Sequence, residues 1–270
     1  MSLRKTVARA VLPQRIFERL YAIRSRRYQV RFSKSEGLLD AAARYVERNG
    51  RTVKYGPFAG TIYPLEAALS RHSIPKLLGT YEQELHSVIK TIAHRKYDVV
   101  IDIGCAEGYY AVGLARLLQT KVLAYDPEPV ERSYCEEAAR LNNVFKLIEL
   151  HDLFRPPDIP NFRDARALCV CDCEGFESEL FTATTIPDVA NWDLLIELHG
   201  NATKQLPRLA WPQITSTIPS DPNREPHEEL DGLGDQNKLL SEYRSGIQTW
   251  LWCDSRAERG TGESSGPSVR

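Results

Sequence analysis

Four polar side chains stand at the ends of two apolar runs. Asp172 and Glu174 close one run, and Glu197 and His199 close another. Side chains two residues apart in a strand share a face, so each pair is expected to point the same way. Carboxylates beside an imidazole can take a proton from a hydroxyl nucleophile, with His199 or Asp172 as the base. The same groups could instead hold a divalent metal that acidifies that hydroxyl. The base is the preferred reading, because nothing in the sequence specifies a complete coordination shell. Glu174 and Glu177 have a plainer alternative as early acids of the helix that follows, and for Glu177 that alternative is preferred.

A second constellation lies upstream. Gly104-x-Ala106-x-Gly108, with Glu107 inside it, forms a small-residue turn between an apolar run (99–103) and a helical pattern from Tyr109. Such a turn lets backbone approach a ligand closely, and the open N–H groups of a helix start favour a negative group. Asp102 stands just before the turn, where it could pair with an ammonium. Asp126 follows Gly104 by 22 residues, where an acid accepts from both hydroxyls of a ribose. Asp152, after the next strand, is a candidate for the adenine amino group or else a plain loop acid. The spacing is not G-x-G-x-x-G. A turn, an acid for an amine and an acid for a ribose fit S-adenosylmethionine better than NAD.

The surrounding elements have the rhythm needed to position these groups. Strands are expected over 98–103, 122–125, 144–150, 167–173 and 193–199. Helices are expected over 109–118, 129–141 and 176–184, and a weaker one over 202–209. Strands alternating with helices predict an α/β sheet with helices on both faces. Further strands are read at 213–218 and 247–253. Upstream, an amphipathic helix ends at Asn49-Gly50, and residues 53–64 read as short strands or a hairpin. Thr80 and Gln83 have capping-box spacing ahead of Leu85, Val88, Ile89 and Ile92. Cys169, Cys171 and Cys173 read as small core residues, and Trp250 and Trp252 as packing residues.

On these residues the chain resembles a known family. Val100-Ile-Asp-Ile-Gly-Cys-Ala-Glu-Gly108 is similar to motif I of class I S-adenosylmethionine-dependent methyltransferases, and Leu123-Ala-Tyr-Asp-Pro-Glu-Pro129 to their second motif. Cys171-Asp-Cys-Glu-Gly-Phe-Glu177 resembles the D-x-E-G-x-E signature of the FkbM family. Trp192–His199 and Leu78–Glu82 are similar to its flanking segments, so the resemblance covers about residues 78–200. It implies a seven-stranded Rossmann-like sheet and methyl transfer, usually to a hydroxyl of a sugar, polyketide or other small acceptor. Cys171 and Cys173 depart from the aliphatic residues the family prefers. The competing class is a Rossmann protein that binds an adenosine ligand without catalysis, or an inactive partner subunit. Such a protein would have no need of the acids and imidazole after the fourth and fifth strands.

Charge divides the chain. Residues 1–34 hold ten basic side chains and one acid, against a formal net charge of −1 overall. The expected organisation is a basic arm (1–35), a small cover (36–79), a Rossmann-like domain (80–254) with an insertion at 219–246, whose Pro-, Gly-, Asp- and Glu-rich stretch 219–236 reads as exposed, and a disordered tail (255–270). The arm suits an anionic surface or a targeting role, or else a solvated helix packed on its own domain. No groove-reading motif points to sequence-specific nucleic acid binding. No apolar run reaches the roughly 20 residues of a membrane span. Six cysteines in neither a disulfide framework nor a CxxC pair favour a cytoplasmic setting.

Overall fold

The computed structural model describes residues 37–71, 73–242 and 246–257. The expectations for the basic arm and for the tail beyond residue 257 lie outside the described residues. Among the described residues four α-helices precede the sheet, α1 (Leu38–Asn49), α2 (Leu65–Ala68), α3 (Ser73–Leu78) and α4 (His86–Ala93), with a 3-10 turn (Gln83–Leu85) ahead of α4. The sheet region then runs β1 (Val99–Ile103), α5 (Tyr109–Leu118), β2 (Val122–Tyr125), α6 (Pro129–Leu141), β3 (Ile148–His151), β4 (Ala167–Cys171), α7 (Glu177–Leu180) and β5 (Asp193–Glu197). It finishes with α8 (Ala202–Gln205), β6 (Ile214–Pro219), α9 (Gln236–Leu240) and β7 (Thr249–Asp254). Among the described residues no helix is long and apolar enough to cross a membrane.

The seven strands form one sheet in the order β3-β2-β1-β4-β5-β7-β6. β1 to β5 pair in parallel, and β7 lies antiparallel between β5 and β6. This is the expected Rossmann-like α/β sheet. The short apolar strands β1, β2, β4 and β5 are buried along their whole lengths, as strands covered on both faces must be. Alternation divides their side chains between two cores. Val100, Ala124, Val170 and Leu195 join α1 and α3 to α6 on one face. Ile101, Leu123, Cys169, Cys171 and Ile196 pack on the other face against Phe154, Phe181 and Trp192. The order of strand addition reverses between β1 and β4, since β2 and β3 build outward on one side and β5 on the other. That switch point leaves a crevice at the carboxyl ends of the strands.

Local chemistry explains the boundaries. α1 stops at Gly50, whose φ of 76° lies in the left-handed region and whose N–H returns to the Val46 carbonyl. α6 opens with Pro129 in its first turn, where a missing N–H costs nothing.

Several expectations need correction. The capping box at Thr80 does not form. Thr80 Oγ1 is buried without a hydrogen bond, and Glu82 precedes the first turn, Gln83–Leu85. Residues 145–147 form a 3-10 turn rather than the start of a strand. Residues 53–64 form no named strand but do fold back as a hairpin-like loop: an antiparallel bridge joins Thr52 to Ile62, Val53 N–H donates to the Thr61 carbonyl and Tyr63 N–H to the Arg51 carbonyl. The helix read over 176–184 is the single turn of α7. Stretch 219–236, read as exposed, buries Leu230 and Leu233 in the core. Those two leucines are apolar anchors within a Pro/Gly/acid-rich background. Residues 255 and 256, read as tail, are tied down: Ser255 N–H donates to Asp193 and the Arg256 guanidinium to the Lys96 carbonyl.

Candidate functional site

The small-residue turn follows β1 directly. Gly104, Ala106 and Gly108 all have positive φ, at 89°, 44° and 96°. Gly104 and Cys105 donate their N–H groups to the Tyr125 carbonyl at 2.8 and 3.0 Å, which locks the turn to the end of β2. The glycines answer first to this packing. A Cβ on Gly104 would sit 1.8 Å from the Asp172 carbonyl oxygen, and one on Gly108 would sit 2.9 Å from Cys135 Sγ. The turn after β1 and the loop after β4 therefore cross at van der Waals contact, which brings the two constellations of the sequence together.

Asp126, at the end of β2, is 8% exposed. Its Oδ2 accepts from Ala106 N–H at 3.0 Å and its Oδ1 from Glu128 N–H at 2.8 Å. Burial raises its pKa, and these two N–H donors oppose the rise. Asp102 is more deeply placed. Its Oδ2 is shielded from solvent and has no hydrogen-bond partner. Burial, then the nearby charges of Asp126 and Asp172, push its pKa up to about 8 against the opposing Ala111 N–H. Glu107 forms an ion pair with Lys76. Lys76 in turn lies 4.8 Å from the Tyr81 ring centre and 5.7 Å from that of Tyr109. Asp152 is exposed and accepts from the N–H of Leu153 at 2.8 Å.

Asp172, Glu174 and His199 converge, with one donor atom from each within 4.8 Å of the others. The expected reason, strand alternation, does not hold for the acid pair. β4 ends at Cys171, and Glu174 has a φ of 57°, so a turn rather than a pleat aims its side chain. Glu197 closes β5 and lies 3.8 Å from His199 through Oε2 and Nε2. Asp172 Oδ1 is also 3.8 Å from His199 Nε2.

The residue that sequence reasoning undervalued is Glu177. It is fully buried, and its Oε1 lies 3.0 Å from His199 Nδ1. The same oxygen accepts from the N–H groups of Cys173 and Gly175 at 3.2 Å each. Glu177 thus fixes the loop carrying Asp172 and Glu174 and also the plane of the His199 ring. Burial raises its pKa, but the His199 hydrogen bond and charge outweigh burial and the net shift is downward. For His199, burial lowers the pKa, and Glu177, Asp172 and Glu174 more than reverse this, leaving it above 6.5. Only the short spacing Glu174-x-x-Glu177 hinted at this role, since the partner histidine lies 22 residues further on. Lys76 was missed for want of any local signal.

An aromatic group covers the start of α5. Phe58, Tyr81 and Tyr110 each meet Tyr109 edge-on at ring-centre distances of 5.2, 5.1 and 5.1 Å. Tyr110 also donates its hydroxyl to Glu82.

No protein family matches the chain, and no curated protein does. Solved structures do resemble it. The precorrin 8w decarboxylase of Methanobacterium thermoautotrophicum is 17% identical, with 63% of this chain and 89% of that one covered and a TM-score of 0.44. A methyltransferase from Geobacter sulfurreducens is 14% identical over 62% and 74% of the chains, with a TM-score of 0.39. The precorrin-6y C5,15-methyltransferase of Geobacter metallireducens GS-15 is 12% identical over 64% and 88%, with a TM-score of 0.44. The functional reading accordingly rests on the residues of the chain itself.

Proposed function

We propose that this chain is an S-adenosylmethionine-dependent methyltransferase that methylates a hydroxyl of a small-molecule or glycan acceptor, such as a sugar or polyketide. The observation that carries the reading is one contact: the turn between Asp102 and Glu107 packs against the backbone of Asp172 at the switch point of the sheet. A ligand held by the first constellation would lie beside the second.

The chain's groups fit that cofactor. Asp102 offers a buried oxygen without a partner, which suits an ammonium group. Asp126 retains lone pairs beyond its two backbone bonds and suits vicinal hydroxyls. Bound there, the cofactor supplies an electrophilic methyl group on a sulfonium sulfur. Asp126 orients the ribose end, Asp102 the amino-acid end, and Glu107 with Lys76 closes the turn between them. His199, in its neutral form, or Asp172 receives the proton of the acceptor hydroxyl, and Glu177 holds the imidazole in position. Alignment of this kind accounts for a large share of the barrier in a displacement that needs collinear geometry.

Titration calorimetry of the purified chain with S-adenosylmethionine, S-adenosylhomocysteine and NAD tests the reading. The expected result is micromolar binding of both S-adenosyl ligands, lost in Asp126→Ala. Binding of NAD alone, or unchanged affinity in the variant, would overturn it. Methyl transfer to hydroxylated acceptors should then fall in His199→Ala or Asp172→Ala with cofactor affinity retained. Two equal losses would move those residues from chemistry to binding. Cofactor binding without transfer to any acceptor would favour the non-catalytic class.

A further inference from the structure

We propose that Asp172, Glu174 and His199 form a binding site for one first-row divalent cation, of the Mn2+ to Zn2+ range. Three observations carry this beyond a collection of acids. The first is orientation. Buried Glu177 accepts at His199 Nδ1, 3.0 Å away, so Nε2 is the nitrogen turned towards the acids. A carboxylate behind a histidine is the usual outer support of a metal-ligating imidazole, because it fixes the tautomer and strengthens the donor.

The second is spacing. His199 Nε2 lies 3.8 Å from Asp172 Oδ1. That separation is too long for a hydrogen bond. It does match two ligands of one ion, which with bonds of about 2.0–2.2 Å stand at most about 4.4 Å apart. The donor atoms of all three residues lie within 4.8 Å of one another, and the Glu174 side chain is exposed.

The third is an unfilled donor. Asp172 Oδ1 is shielded from solvent and has no hydrogen-bond partner among the described residues, although it faces that nitrogen. Charge agrees with all three. Asp172, Glu174, Glu177 and Glu197 surround one imidazole, so even a protonated ring leaves the cluster strongly negative. One nitrogen and two oxygens suit borderline ions better than Mg2+ or Ca2+, which prefer all-oxygen shells. With the ion bound, His199 Nε2 and Asp172 Oδ1 serve as ligands in place of their role as bases, and the cation makes the proton of an acceptor oxygen in an open position easier to lose to solvent. That role rests on the methyl-transfer reading, whereas cation binding does not.

The test uses the full chain, stripped with a chelator and dialysed. Titration with Mn2+, followed by the resonance signal of the free aqueous ion, and with Zn2+ by calorimetry should each give one site per chain. Glu174→Gln, an exposed change that leaves the core alone, should weaken binding severalfold. His199→Ala and Asp172→Asn should weaken it tenfold or more, with an unchanged near-ultraviolet circular dichroism spectrum. Glu177→Gln should fall within the tenfold to hundredfold loss typical of an outer-shell partner. No site for either ion at about millimolar concentration, or equal affinity in wild type, Glu174→Gln and His199→Ala, would overturn the proposal. Loss of S-adenosylhomocysteine binding with metal binding intact would instead count against the methyl-transfer reading alone.

Discussion

The buried carboxyl of Asp102 makes the most quantitative prediction. Its pKa of about 8 is set by burial and by the neighbouring Asp126 and Asp172, so it is mostly neutral at pH 7. A ligand ammonium needs the ionised form. By simple titration about 1% of Asp102 is ionised at pH 6 and about 9% at pH 7, while the ammonium of a free α-amino acid such as S-adenosylhomocysteine stays charged over that range. Affinity for S-adenosylhomocysteine should therefore rise close to tenfold between pH 6 and 7, about 1.4 kcal/mol. It should level off near pH 8 and decline as the ligand amine loses its proton. Calorimetry at pH 6.0, 6.5, 7.0 and 8.0, about half a unit to one unit apart, resolves this slope. 5′-Methylthioadenosine, which has no α-amino group, should bind with no such slope, and Asp102→Asn should remove the slope for S-adenosylhomocysteine. A flat profile for S-adenosylhomocysteine, or the same slope in Asp102→Asn, would refute the ammonium assignment.

Stability supplies further tests. The folded pKa of Asp102 lies above its unfolded value of about 3.9. Its contribution is therefore fully present below pH 4 and is lost as pH rises through about 8. Asp102→Asn should accordingly raise the melting temperature of the ligand-free chain at pH 8. Gly104→Ala places a Cβ 1.8 Å from the Asp172 carbonyl oxygen at a φ of 89° and should cost about 3 kcal/mol or more. Gly175→Ala, at a φ of 111° with nothing within 4 Å, should cost only the backbone strain of about 1–2 kcal/mol. Equal losses in urea melts would contradict the crossing of the two loops. Glu229 is raised by burial but lowered further by Lys54 and Tyr55, to about 2. Its contribution is present above pH 4.5 and lost as pH falls towards about 2, a slope that Glu229→Gln should abolish in acid melts.

The stretch from Val99 to Leu141 was legible almost residue by residue. Two continuous apolar strands, a glycine turn and Pro129 each report a local backbone preference. The sequence 144–150 was less legible, because Phe145 and Leu147 are apolar yet sit in a 3-10 turn ahead of β3. The position of β7 between β5 and β6 could not be read, since pairing Leu195 with Trp252 joins residues 57 apart and leaves no local trace. The site divides in the same way. Asp102, Gly104, Asp126 and Asp172 are announced by strand ends, but the pairings of Glu177 with His199 and of Lys76 with Glu107 arise only when separate elements meet. Residues 219–236 show the converse error: polar composition concealed Leu230 and Leu233, which composition averages away.

The interior placement of β7 bears on how the chain is made. A polypeptide leaves the ribosome N-terminus first, so β1 to β5 can pair while the remainder is still being synthesised. β6 cannot join them at that stage. Its route into the sheet passes through β7, and a 29-residue connection separates Pro219 from Thr249. Until Trp250 and Trp252 arrive, the outer edge of β5 presents unpaired backbone and a large apolar surface, a template for strands of other chains. Completion of the sheet is thus a late, non-local event with a high loop-closure cost. Nascent chains halted before residue 249 should engage chaperones or aggregate, whereas chains released just after residue 257 should be able to close.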